Sequence, residues 1–197
     1  MKSQSINSGI DAGLVTFDRL APTVETRVRR AKTNELAGLA RLARDMIPGA
    51  NVSDQTLKAL CSRDRDTVFA FLRGRKVIGG AAFLYLNYRG HDALVLDEID
   101  LHDPDPVYLA APGEKPDAIY LWAIAGAGRS ALGHVAKIFA GSRYGSADLY
   151  TRPVTDAGIS LMTGLGFRPS LSWSPDLWVY HRLGHESSAS TFLQHAA

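Results

Sequence analysis

The run AIYLWAIA (118–125) passes through Gly126-Ala127-Gly128 into the helical pattern GRSALGHVAKIFAGSR (128–143), and then into a second strand-like run, ADLYTRPV (147–154). Two strand patterns joined by one helix pattern fold as a parallel strand–helix–strand crossover. Just upstream, DTVFAFLRG and KVIGGAAFLYLN are β-rich runs separated by the tight RGRK turn, the signature of an antiparallel hairpin. A chain carrying both must build a mixed sheet. The expected class is therefore α/β (α+β): a mostly antiparallel central sheet flanked by helices, with one parallel crossover, rather than a doubly wound parallel sheet.

The remaining patterns fill in that frame. ETRVRRAK (25–32) is a candidate first strand. NELAGLARLARDMIPG (34–49) predicts a helix: Leu36, Leu39, Ala43, Met46 and Ile47 follow three-or-four spacing, Asn34 can cap it and Pro48-Gly49 stops it. Residues 53–64 predict a shorter helix capped by Ser53. In 91–106, Leu94, Leu96, Ile99 and Leu101 alternate imperfectly with acids, and 107–117 reads as a loop. TDAGISLMTGLGF (155–167) predicts a short helix ending at Gly164 or Gly166, and LWVYHRL (177–183) a last strand on which Trp173 and Trp178 pack. The expected organisation is a tail over 1–22, one domain over 23–184 and a second tail over 185–197.

Bulk properties narrow the classes. With 46% hydrophobic and 21% charged residues, the 197-residue chain can bury a sizeable core. A net charge of +2, without a dense Lys/Arg run, does not argue for a nucleic-acid binder. Cys61 is the sole cysteine, which rules out an intrachain disulfide and a CxxC-type metal site. The N-terminal stretch lacks the apolar segment of a secretory signal, and the most apolar region is broken by Arg73, Arg75 and Lys76. A cytoplasmic protein without membrane, metal or nucleic-acid partners is the expectation.

The glycine turn can be read in two ways. Gly126, Gly128 and Ala131 satisfy G-x-G-x-x-A, a permitted dinucleotide fingerprint, in which glycines admit a pyrophosphate to the backbone N–H groups of a helix N-terminus. Yet the nearby acid, Asp148, starts the next strand instead of ending it, and too little chain follows for a full dinucleotide fold. The plain alternative is that the glycines only shape a tight strand-to-helix turn.

LMTGLGF (161–167), together with the interval from Gly128 to Ala147, adds a third possibility. The order of elements over about residues 24–183 resembles the GNAT superfamily of acyl-CoA N-acyltransferases. In that family a strand ends in a glycine loop and helix, and a later short helix ends in an L-Y-x-x-x-G-F pattern. The resemblance implies direct transfer of an acyl group from acetyl-CoA or another acyl-CoA to a small-molecule or peptide amine, with a homodimer allowed. It implies that the backbone of Trp122, Ala123 and Ile124 bonds the pantetheine arm. The amides of Gly126, Ala127, Gly128, Arg129 and Ser130 would cradle the pyrophosphate. Departures from the family pattern lie at Ala123, where Gln or Arg is usual, at Thr155, where an Asn contacts the cofactor, and at Met162, where a Tyr acid is usual. Met162 has no proton to donate. Acids near the amine pocket are expected before the glycine strand, so Glu98, Asp97 and Asp100 are the candidate bases, Glu98 first. Alternation would put Glu98 and Asp100 on one face and Asp97 on the other. Tyr85, Tyr88 and Tyr150 are candidate cleft residues, and His102 and His134 read as solvated. A non-catalytic acyl-CoA-binding module and a nucleotide-binding domain are the rival readings.

Overall fold

The computed structural model describes residues 26–50, 53–126, 133–135, 138, 147–174 and 176–182. Seven strands form one sheet in the order β1-β2-β3-β4-β5-β7-β6. They are β1 (Thr26–Arg30), β2 (Val68–Arg73), β3 (Lys76–Leu86), β4 (Ala118–Gly126), β5 (Asp148–Thr151), β6 (Arg168–Pro169) and β7 (Trp178–Tyr180). The β4–β5 pair is parallel and every other described pairing is antiparallel. The hairpin and the crossover are thus both present. Residues 128–143 lie largely outside the described residues; those described within it are helical.

Helix α1 (Leu36–Met46) buries Leu36, Leu39, Ala40 and Ala43, but the predicted stripe fails at its C-terminal end, where Met46 is 48% exposed and Ile47 is the half-buried cap. Its entry differs from expectation. Asn34 sits inside a 3-10 turn, and the carboxylate of Glu35 accepts the Lys32 N–H at 2.9 Å instead. Arg29 on β1 donates two bonds to the same carboxylate, at 2.8 and 2.6 Å, and holds it near pKa 2. Helix α2 (Asp54–Arg63) starts as predicted, with Ser53 Oγ accepting the Thr56 N–H at 2.9 Å.

The alternating segment from His91 is not a strand. It begins as helix α3 (Tyr88–Val95), capped by Asn87, whose Oδ1 accepts the Gly90 N–H at 3.0 Å. Leu94 is fully buried whereas Leu96 is 47% exposed, which a helix allows and a period of two forbids. Alternation does persist locally at Ile99 and Leu101, both buried, but in bends of the chain. The predicted helix after Pro153 is α4 (Asp156–Gly164).

The sheet separates two cores. On one face α1 and α2 pack on Val68, Ala70 and Ala82, and α3 with the following loop packs on Leu84, Leu86, Tyr120 and Tyr150. On the other face Phe71, Phe83, Ile119, Leu121 and Leu149 meet Met162 and Phe167. Trp178 packs against this second core, but Trp173 stands 83% exposed: it lies in the bends between β6 and β7, which no element covers among the described residues. No described helix is long and apolar enough to cross a membrane.

Candidate active site

The parallel pairing of β4 and β5 covers four residues, from Ala118 against Asp148 to Leu121 against Thr151. There β5 stops. Thr151 turns its hydroxyl onto the Leu121 carbonyl, at 3.1 Å, and Pro153, two residues on, has no N–H to extend a ladder. β4 runs on to Gly126, paired only with β3. The β5-facing edge of Trp122–Gly126 therefore has no strand partner among the described residues. Backbone polar groups along such an edge are a template for another hydrogen-bonding chain.

A bulge sharpens the opening. Ala82 pairs with Ala123 and Phe83 with Leu121, so Trp122 is an extra residue in β4. Its neighbours mark the kink: Trp122 and Ala123 are consecutive yet pack on the same core, while Ile124 packs on the opposite one. Bulges bend a strand and re-aim its groups. Beside this stretch, below α1 and α2, lies a small apolar recess of about 30 Å³, open at its mouth and lined by residues that include Leu39, Ala43, Leu57, Ala82, Ala123 and Ala125.

Gly126 closes the strand with φ 129°, and a Cβ there would stand 2.5 Å from Gly79 Cα and 2.7 Å from the Ile78 carbonyl oxygen. Close β3–β4 approach already requires a glycine here, whatever the loop binds. The expected phosphate-loop residues Ala127, Gly128, Arg129 and Ser130 lie outside the described residues. His134 is not solvated: it is 5% exposed, with its ring 4.9 Å from that of Phe71.

The three candidate acids do not act as a group. Asp97, at φ 61° the one described non-glycine residue in the left-handed region, forms an ion pair with Arg152 Nη2. Asp100 accepts the His102 N–H at 2.8 Å, and that bond holds its carboxyl below the usual range. Glu98 is exposed, and its own N–H is fixed on the Ala93 carbonyl at 2.7 Å, which anchors it just after α3. The face assignment from alternation fails for Asp97, because a left-handed residue breaks the strand geometry it assumed.

Thr155 and Met162 are both occupied. Thr155 Oγ1 accepts the Gly158 N–H at 3.0 Å and caps α4. Met162 is 2% exposed, in the core with Leu149 and Phe167. Tyr85 donates to the Asp66 carbonyl at 2.7 Å, while Tyr88 is 60% exposed. Cys61 is half-buried, and burial pushes its thiol up to about 11, which keeps it un-ionised. Among the described residues no three or more potential metal ligands gather.

Two groups had no local sequence signal. Arg152, the residue after β5, donates from Nη2 to Asp97 and, at 2.9 Å, to Ser174 Oγ. His91 on α3 sits with Nε2 2.9 Å from the Tyr150 hydroxyl. Burial lowers the His91 pKa and raises that of Tyr150, so both are held neutral. Tyr120, beside Tyr150 in the parallel register, is pushed up to about 12 by burial, against the opposing charge of Arg152.

No protein-family model matches the chain, and no curated protein matches it by sequence. Solved structures do. The loading GNATL domain of CurA from Lyngbya majuscula superposes with TM-score 0.60 at 10% identity, over 79% of this chain and 97% of that one. Diaminobutyrate acetyltransferase EctA from Paenibacillus lautus, in complex with L-2,4-diaminobutyric acid and coenzyme A, gives 0.52 at 13% identity, over 82% and 99%. An N-acetyltransferase from Staphylococcus aureus Mu50 gives 0.50 at 14%, over 78% and 100%. The fold is that of the GNAT superfamily. With one parallel pair among the described strands, the glycine turn does not belong to a dinucleotide fold.

Proposed function

We propose that this protein transfers an acyl group from acetyl-CoA or another acyl-CoA directly to an amine. The observation that carries the reading is the opened β4 edge: pairing with β5 ends at Leu121 and Thr151, while the bulged Trp122–Gly126 has no strand partner on that side among the described residues. A pantetheine arm, with two amides spaced along a flexible chain, is the kind of ligand that completes such an edge. The EctA structure of the same fold holds coenzyme A, which supports this class of co-substrate. The small apolar recess beside Ala123 and Ala125 gives the first carbons of an acyl group an apolar wall.

The chemistry needs three things from the chain. The ammonium must lose a proton before its nitrogen can attack the thioester carbon. Glu98 is the acid assigned to this; in the structure Asp97 is paired with Arg152 and Asp100 bonds within its own turn. As the C–N bond forms, the carbonyl oxygen gains charge, which an unpaired N–H of Trp122, Ala123 or Ile124 stabilises. The C–S bond then breaks, the thiolate departs with its electron pair, and the second proton shed by the nitrogen passes to that thiolate or to solvent. Thiols ionise near pKa 8.5, so the buried Met162 need not be replaced by an acid.

The pyrophosphate is assigned to the amides of Gly126–Ser130 and the charge of Arg129. Arg129→Glu should weaken acyl-CoA binding at least tenfold in a calorimetric titration, since a lost charge-assisted bond costs about 1.5–3 kcal/mol; unchanged affinity removes the loop assignment. The burial of Met162 favours a second reading, an acyl-CoA-binding module without turnover. Thiol release on adding candidate amines separates the two.

A further inference from the structure

We infer that Arg152 reads a carboxylate on one of the two substrates, an inference that rests on the acyltransferase reading above. Arg152 directly follows Thr151, the last β5 residue paired with β4, so its backbone sits where the strands part. Its side chain projects on the same face as Tyr150, two residues back, and that is the face of α3, Asp97 and the apolar recess. A cation at this point stands beside the place where the β4–β5 pairing ends.

The guanidinium is under-used. Of its donors, Nη2 serves both Asp97 and Ser174, while Nε is buried and has no partner among the described residues. Guanidinium groups bind carboxylates best as a fork, through two parallel N–H bonds. Asp97 supplies a carboxylate, but by a single bond, from a side chain 55% exposed. The Asp97 half of the pair is open to water, so another carboxylate can exchange for it. Asp97 thus behaves as a placeholder. An incoming carboxylate takes the fork, and the loop that carries Asp97 and Glu98 relaxes around it. Next to it, Glu98 offers the complementary charge for an ammonium, so an amino-carboxylate acceptor matches both ends. A dicarboxylic acyl group presents the same anion from the other substrate.

Calorimetric titrations distinguish the two sources. One arm compares common L-amino acids with their amides, on the protein alone and with coenzyme A present. The other compares succinyl-CoA with butyryl-CoA. In at least one arm the carboxylate member should bind at least tenfold more tightly, and the arm names the substrate that carries the anion. Arg152→Gln should bring that ratio close to one, and Arg152→Lys, which keeps the charge but not the fork, should give an intermediate ratio. Asp97→Asn, which removes the competitor, should strengthen carboxylate binding, and it tests the inference even where Arg152→Gln fails to fold. The inference is overturned by equal binding within every pair, by a preference that survives Arg152→Gln, or by weaker carboxylate binding in Asp97→Asn. The CoA affinity from the same titrations tests the acyltransferase reading separately, because the amino-acid arm needs no cofactor.

Discussion

Gly126→Val should destabilise the fold by about 3 kcal/mol or more, combining overpacking at about 1–3 kcal/mol with an unfavourable backbone region at a further 1–3. For a chain of this size that lowers the melting temperature by about 6–12 °C. The cause is geometric. At φ 129° an L side chain is strained, and its Cβ would lie 2.5 Å from Gly79 Cα, backbone that cannot rotate away. The reverse contact is equally tight, since a Cβ on Gly79 would meet the Ala125 carbonyl oxygen at 2.5 Å. Gly38 provides the control. It lies within α1, and a methyl added there would meet nothing within 4 Å, so Gly38→Ala should instead raise stability by about 0.5–1 kcal/mol. Thermal unfolding of the two variants reads the contrast directly. A Gly126→Val protein as stable as the parent would mean that β3 and β4 are not packed as described. The result bears on function too, because Gly126 leads into the loop assigned to the pyrophosphate, and its glycine is explained without any ligand.

Glu98→Gln should cut kcat/KM by about 100-fold or more, the usual range for losing a positioned general base. The amide keeps the size of the carboxylate but cannot take a proton from the amine. The backbone bond from Glu98 N–H to the Ala93 carbonyl does not involve the side chain, so the variant should keep its fold. The sharper readout is the pH–rate profile: the limb belonging to the base should disappear, while CoA affinity should hold. A profile of unaltered shape takes Glu98 out of the role, and attention then passes to the neutral His91, bonded to Tyr150 on the same face of the sheet.

Much of this architecture was legible from local pattern. The RGRK hairpin, the strands of the β4–β5 crossover and the Ser53 cap each depend on patterns within short segments, and each is present where it is described. The failures share a physical origin. α3 covers only eight residues, too short for its period to separate from a strand's, and the Asn87 cap was the overlooked signal. At α1 the cap was decided by Arg29, a residue of another element, which orients Glu35 against the Lys32 N–H. The candidate site was less legible still. Asp97 and Arg152 are 55 positions apart, and His91 and Tyr150 are 59 apart; no spacing rule connects them, because the sheet alone brings them together. The Trp122 bulge leaves no mark in AIYLWAIA, since one extra residue in an apolar run changes no composition. The separate fates of the acids at 97, 98 and 100, one paired, one exposed, one turned on its own loop, follow from a left-handed backbone at Asp97 that no period in the sequence announces.

Amide hydrogen exchange along β4, with and without coenzyme A, tests the central claim most directly. If the free edge of Trp122–Gly126 takes the pantetheine arm, saturating coenzyme A should slow exchange in that segment, while the four β5-paired residues Ala118–Leu121 change little and NAD has no effect. Exchange at Trp122–Gly126 that is the same with and without saturating coenzyme A, or that is slowed by NAD instead, would contradict the account.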